Sequence, residues 1–191
     1  VGWEVTTAPL VEAVHPEEIR SDHLRVDDGD ELEHIRFLIR AVTANIEKLY
    51  SLALITQTVT EYFDGWPECG CRVIKLAVRP VASVTSVKYY DDDGVLQTLS
   101  SSLYRTDTVS LQARVELDDD ESWPDLDYRT NAVQIEYTAG YGATSQAVPE
   151  NIRHAINLMV GTLYENREDV SDEFVMNRSR QLLAPDVIIN I

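Results

Sequence analysis

Between residues 148 and 168 the apolar positions Ile152, Ala155, Ile156, Met159, Val160, Leu163 and Tyr164 recur at alternating steps of three and four. That spacing draws one apolar face along an α-helix. Pro149 suits the first helical position, and Glu150 puts negative charge at the positive end of the dipole. Asn151, Arg153, His154, Asn157, Glu165 and Asn166 fall on the other face. A second helix is predicted over 31–51, where Leu32, Ile35, Ile39, Val42, Ile46 and Leu49 form a narrow seam of the coiled-coil kind. Leu38 and Tyr50 widen it, and Phe37 lies off it. Asp30 with Glu33 three residues on reads as a capping box.

Between these helices the period drops to two, with β-branched and aromatic residues. Strands are predicted over 56–63, 73–78, 81–90, 95–99, 104–106, 113–117 and 131–139. In the last, Val133, Ile135 and Tyr137 share one face. Asp93-Gly94 marks a hairpin turn, and an acidic loop spans 118–127. Residues 1–15 read as an extended arm, followed by a short helix from Pro16 to about 24–26. After a break expected at 169–173, a short helix is predicted over 174–183, with Pro185 to stop it. The chain reads as α+β, in a single domain over 1–191. Helices occupy 16–51, an inserted antiparallel β meander 55–140, the long helix 149–168 and an extended tail 174–191. The apolar end, Val187-Ile188-Ile189-Asn190-Ile191, reads either as a docking tail or as a segment folded on its own core.

Charge narrows the function. Net charge is −17 and the pI about 4.4. A general nucleic-acid grip needs clustered Lys and Arg, and anionic membranes repel such a surface. Self-association needs its repulsion neutralised. Residues 1–13 mix Glu and Pro among apolar positions and do not read as a signal peptide, and no apolar run is long enough to span a bilayer. The only cysteines, Cys69 and Cys71, flank one glycine, which makes a disulfide awkward and reads as two free thiols.

Candidate chemistry is sparse. Gly140-Tyr141-Gly142 stands where a dinucleotide fingerprint would, but the third glycine would fall on Ser145, so a turn with glycine φ freedom is the simpler reading. The clusters Asp91-Asp92-Asp93 and Asp118-Asp119-Asp120-Glu121 lack EF-hand spacing and read as solvated faces. His15, His23, His34 and His154 have no metal-binding spacing. No nucleophile elbow or P-loop occurs. The expectation is no enzyme, no metal and no cofactor.

Segments spread over 15–185 resemble one family. They are His23-Leu24-Arg25-Val26-Asp27, Leu54-Ile55-Thr56-Gln57-Thr58, and Arg79-Pro80-Val81-Ala82-Ser83-Val84-Thr85-Ser86-Val87-Lys88-Tyr89-Tyr90 followed by Asp93-Gly94. Tyr104-Arg105, Trp123-Pro124, Asn131-Ala132-Val133 and Thr138-Ala139-Gly140-Tyr141-Gly142 follow in order. Then come Val148-Pro149, Tyr164-Glu165-Asn166-Arg167-Glu168 and Leu182-Leu183-Ala184-Pro185. Together they resemble the head-tail connector (adaptor, head-completion) proteins of long-tailed bacteriophages and gene-transfer particles. Two departures stand out: Asp186-Val187 replaces the family's frequent closing Pro-Tyr-Arg, and the 116–127 loop is unusually acidic.

The resemblance implies a structural virion protein, made in the host cytoplasm and placed in the neck. It implies a twelvefold homo-oligomeric ring under the portal protein that extends the DNA channel toward a stopper or tail-completion protein. Portal docking is expected from the C-terminal segment, through Phe174, Leu182, Leu183, Pro185, Val187, Ile188, Ile189 and Ile191. A closed ring needs head-to-tail contacts. These are expected on the long helices at Arg36, Phe37, Arg40, Arg153 and Arg167, although the arginines also suit intrachain or surface roles. Asp91, Asp92, Asp93, Asp118, Asp119, Asp120 and Glu121 are expected at the lumen or its rim, where acidity repels passing DNA rather than binding it. The rival readings are an acidic DNA mimic that inhibits a DNA-binding host protein, and a small carboxylate-metal hydrolase.

Overall fold

The computed structural model describes residues 2–24, 31–67 and 71–165, with Asp22 and His23 in their backbone alone. The chain divides into two compact units: Val1–Ala8 with Thr56–Gly140, and Pro9–Ile55 with Tyr141–Ile191.

The first unit is all β. Its strands are β1 (Gly2–Thr7), β2 (Gln57–Phe63), β3 (Val73–Lys75), β4 (Val81–Tyr90), β5 (Leu96–Thr98), β6 (Tyr104–Asp107), β7 (Arg114–Leu117) and β8 (Val133–Ala139). The expected meander does not form. A five-stranded antiparallel sheet runs β1-β2-β8-β4-β5, and a three-stranded one runs β3-β7-β6. The last strand, β8, is central, pairing Val59 with Tyr137 on one side and Val87 with Ile135 on the other. Alternation fixes which side chains of β8 share a face: Val133, Ile135 and Tyr137, read on one face, are buried, and Ala139 is buried with them. Alternation does not name the partner strands.

Two further expectations change. Part of the N-terminal arm is an edge strand, β1, exposed at every position and laddered to β2. The strand predicted over 73–78 ends at Lys75; the Leu76 N–H still reaches the Ala113 carbonyl at 2.9 Å, and beyond it side chains take the donors. The Ala77 N–H donates to Glu61 Oε2 at 3.0 Å, and the Val78 N–H to the Tyr137 hydroxyl at 3.2 Å.

The second unit is helical. It holds α1 (Pro16–Glu18), a π-helical turn (Ile19–Leu24), α2 (Leu32–Tyr50) and α3 (Glu150–Glu165). His15 Nδ1 caps α1 by accepting the Glu17 N–H at 3.3 Å. Asp30 lies outside the described residues. The cap position of α2 is Glu31, without a side-chain cap bond, and Glu33 instead binds Arg36. Ile35, Leu38, Ile39, Val42 and Ile46 of α2 and Ile152, Ala155, Ile156, Met159 and Val160 of α3 bury in one cluster with Val14, Ile19, Leu52 and Leu54. Each fully buried Ile or Leu contributes roughly 1.5–3 kcal/mol, an upper estimate because unfolded chains also bury surface. Leu49, expected in the seam, is 48% exposed. The chain reverses at Ser51, in the left-handed region with φ 50°, and Leu52 and Leu54 fill that end of the core instead.

The glycine turn before α3 needs its glycines for two reasons. Gly140 has φ 132°, which favours glycine. At Gly142 a Cβ would overlap the Cβ of Ala147 in the 3-10 turn Ser145–Ala147.

Candidate assembly interface

On the helical unit, the described arginines expected at the ring interface all have intrachain carboxylates. Arg36 reaches Glu33 at 2.9 Å and Arg40 reaches Glu12 at 3.1 Å. Arg153 lies 3.9 Å from Glu18 and 4.0 Å from Glu150. Phe37 projects into solvent, 65% exposed. Arg167 lies outside the described residues.

Beside these arginines is a feature that the hydrophobic pattern does not announce. A groove of about 660 Å³ runs between the 9–16 segment and α2, with Thr144 and Ser145 at its rim. Arg36, Arg40, Thr43 and Glu47 wall it, while the fully or nearly fully buried Val14, Ile39 and Ile55 line its apolar base. Glu47 is tied down as well. Its Oε1 accepts the Leu54 N–H at 2.9 Å, and burial holds its carboxyl above the ordinary range. The signal in the sequence was the apolar Pro9-Leu10-Val11 ahead of Glu12, which reads as an arm until α2 is placed beside it.

The acidic clusters divide by function. Asp91 builds its own hairpin: Oδ1 accepts the N–H groups of Asp93 and Val95, and Oδ2 the Gln97 amide at 2.8 Å. The Gln97 bond first, and the Val95 N–H second, hold its pKa below the usual carboxylate range. Arg105 binds Asp118 and lies 3.5 Å from Asp119, and the bond to Asp118 raises its guanidinium pKa. Asp92, Asp93, Asp120 and Glu121 are exposed and make no ion pair among the described residues.

An aromatic clasp also went unforeseen. Trp66 stacks on Trp123 at 4.4 Å between ring centroids, with Tyr89 at 5.8 Å from Trp66. The Trp66 indole donates to the Pro124 carbonyl at 2.8 Å, and that of Trp123 to the Cys71 carbonyl at 3.2 Å. The 118–127 loop is therefore anchored at its Trp-Pro step. Asp107 organises a different turn: its carboxylate bonds Val109 and Ser110 N–H and the Ser110 hydroxyl, and it pairs with Arg114 at 3.2 Å. That turn presents Val109, 96% exposed, to solvent.

The residues expected to dock on the portal, Phe174, Leu182, Leu183, Pro185, Val187, Ile188, Ile189 and Ile191, lie outside the described residues, as does Cys69. Cys71 is a free, exposed thiol. Among the described residues, no three His, Cys, Asp or Glu side chains gather to hold a metal, and no helix is long and apolar enough to cross a membrane.

The fold is shared with solved virion components. The chain matches one in the neck of an empty gene transfer agent (GTA) particle computed with C6 symmetry, at TM-score 0.83 and 26% identity. The match covers 100% of this chain and 97% of the other. A chain in the virion of a native GTA particle matches at TM-score 0.81, 26% identity and the same coverage. A chain from the neck of a native GTA particle computed with C12 symmetry matches at TM-score 0.72 and 23% identity, over 100% and 97% of the two chains, which speaks for the fold. No protein-family model and no curated protein matches the chain.

Proposed function

We propose that this chain is a head-tail adaptor: a structural protein of the virion neck, not an enzyme, that works without a cofactor. In this reading residues 1–191 act as one connector domain and assemble as a twelvefold ring between the portal and a stopper or tail component. DNA passes through the ring without specific binding. The observation that carries the reading is the end-to-end likeness to a GTA neck chain, at 26% identity over 100% and 97% of the two chains. The C6 and C12 symmetries of the two necks support a ring.

The surface chemistry fits this role. Ion pairs as exposed as those of Arg36 and Arg40 are worth at most about 1 kcal/mol each, so a neighbour's carboxylate can replace the intrachain one at little cost. Arg153 and Arg167 are further candidates for such cross-copy pairs. Portal docking falls to the apolar 174–191 segment. The DNA-mimic reading is disfavoured because Asp118 and Asp119 are held by Arg105 and Asp91 by its hairpin, which interrupts the two acidic clusters as rows of free carboxylates.

Negative-stain imaging of the protein with its portal tests the proposal. A ring seated on the portal, lost on truncation after Leu183, is the expected result. Absence of both ring and portal binding would refute it.

A further inference from the structure

A cyclic interface joins two different patches of each copy. The helical unit carries a complementary pair of patches on α2. Side chains turn by about 100° per residue along a helix. Arg36, Arg40, Thr43 and Glu47 therefore form one stripe, the wall of the groove. Phe37 stands about a quarter turn away, and Ile35 and Ile39 on the remaining flank face the core.

We infer that Phe37 of one copy seats in the α2 groove of the next copy around the ring, an inference that rests on the adaptor reading. Phe37 is the one aromatic among the large exposed hydrophobics described in this unit, where the others are Leu10, Val11 and Leu49. The groove offers an apolar base in Val14, Ile39 and Ile55. Its 660 Å³ falls in the range of about 300–1,000 Å³ typical of sites that enclose a whole ligand, so an aromatic ring and its flanking atoms fit.

Charge points the same way. Glu33 precedes Phe37 by one turn of α2, and its side chain is 78% exposed. Arg40 on the groove wall is 69% exposed. When Phe37 enters the groove, Glu33 reaches an arginine of the next copy. For a chain of net charge −17, such cross-copy pairs offset the repulsion that otherwise opposes a ring. Used reciprocally, the contact would give only a dimer. Used head to tail, it closes a ring, consistent with the cyclic symmetry of the neck neighbours.

The test uses the full chain with Cys69→Ser and Cys71→Ser, to which Phe37→Cys and Thr144→Cys are added together. Thr144 lies exposed on the groove rim. Oxidation should give a ladder of multimers on a non-reducing gel, whereas either added cysteine alone should stop at dimers. In parallel, Phe37→Ala and the groove-filling Thr144→Trp should each raise the concentration needed for ring formation by about tenfold or more. Rings that form normally in both variants, or a double-cysteine protein that yields no ladder or only dimers while rings are visible, would overturn the inference and leave the adaptor reading standing. If the wild-type protein forms no ring even with the portal present, the adaptor reading fails and the inference falls with it.

Discussion

The Tyr137 hydroxyl donates to the Glu61 carboxylate at 3.1 Å, across the neighbouring strands β8 and β2. Glu61 is 1% exposed, and no cation is paired with it among the described residues. Its Oε2 also accepts the Ala77 N–H, and the Tyr137 oxygen accepts that of Val78. A strand-to-strand hydrogen bond thus continues into the backbone that leaves the smaller sheet. Burial raises the Glu61 pKa above its ordinary value, against the Ala77 and Tyr137 bonds that lower it. Burial and the nearby Glu61 charge likewise push the Tyr137 phenol far up.

The sign of the pH dependence follows. Between the unfolded value of 4.5 and the higher folded value, the native state binds more protons at Glu61 than the unfolded state does. Its contribution to stability is therefore fully present below that window and is lost as pH rises through it. Glu61→Gln should flatten this part of the stability-pH curve and melt no lower than wild type at neutral pH. Tyr137→Phe, which leaves Glu61 with the Ala77 bond and removes the acceptor of the Val78 N–H, should cost about 1–3 kcal/mol. Urea titrations from pH 4 to about pH 8 compare the variants. An unchanged pH slope in Glu61→Gln would refute the account.

Gly142 and Ala147 come too close for any side chain at position 142. Gly142→Ala should cost about 1–3 kcal/mol, as overpacking commonly does. Gly65→Ala, where a Cβ meets nothing within 4 Å, is the matched control. Thermal melts should separate the two. Equal melting temperatures would mean that the 3-10 turn yields without strain.

The Trp66–Trp123 stack should report on the acidic loop. Two indoles at 4.4 Å and 13° interplanar angle couple electronically. Their joint near-UV circular dichroism should vanish in Trp123→Phe and in Trp66→Phe alike. Trp123→Ala should also speed proteolysis within 118–127, because the loop loses the bond to the Cys71 carbonyl and its stacked anchor. Unchanged cleavage would place the anchor elsewhere.

What the sequence could say was local. The stripe at Ile152, Ala155, Ile156, Met159 and Val160 foretold both α3 and its buried face, and residues 81–90 gave β4 to the residue. Both follow from periods of 3.6 and two, which need no partner to be read. The centrality of β8 depends on pairings that run from 44 residues apart, Tyr89 with Val133, to 82, Gln57 with Ala139, which no local period encodes. The edge strand β1 was invisible for a related reason. All six of its residues are exposed, so the alternation of Trp3 and Val5 with Glu4 and Thr6 marks no buried face, and the strand is held by its ladder to β2. In the candidate interface, Phe37 was legible as an apolar residue off the seam, while the groove beside it depends on where the 9–16 segment lies. The acidic runs looked uniform in sequence, and only the structure separates Asp91, which shapes its hairpin, from its exposed neighbours.

That separation decides which carboxylates to test as lumen or rim residues. Asp91 cannot be changed without breaking its turn, and Asp118 and Asp119 answer to Arg105. Asp92, Asp93, Asp120 and Glu121 are exposed and free of such duties. If the adaptor ring surrounds passing DNA, replacing these four with Lys turns short-range repulsion of phosphate into attraction. Particles that carry the variant should eject DNA more slowly than wild type in a single-particle ejection assay. Screening sets the control: the Debye length falls from about 10 Å at 0.1 M salt to about 3 Å at 1 M, so the difference should shrink as salt rises. Equal ejection times at low salt would remove these loops from the channel, and a delay that salt does not diminish would point to misassembly rather than electrostatics.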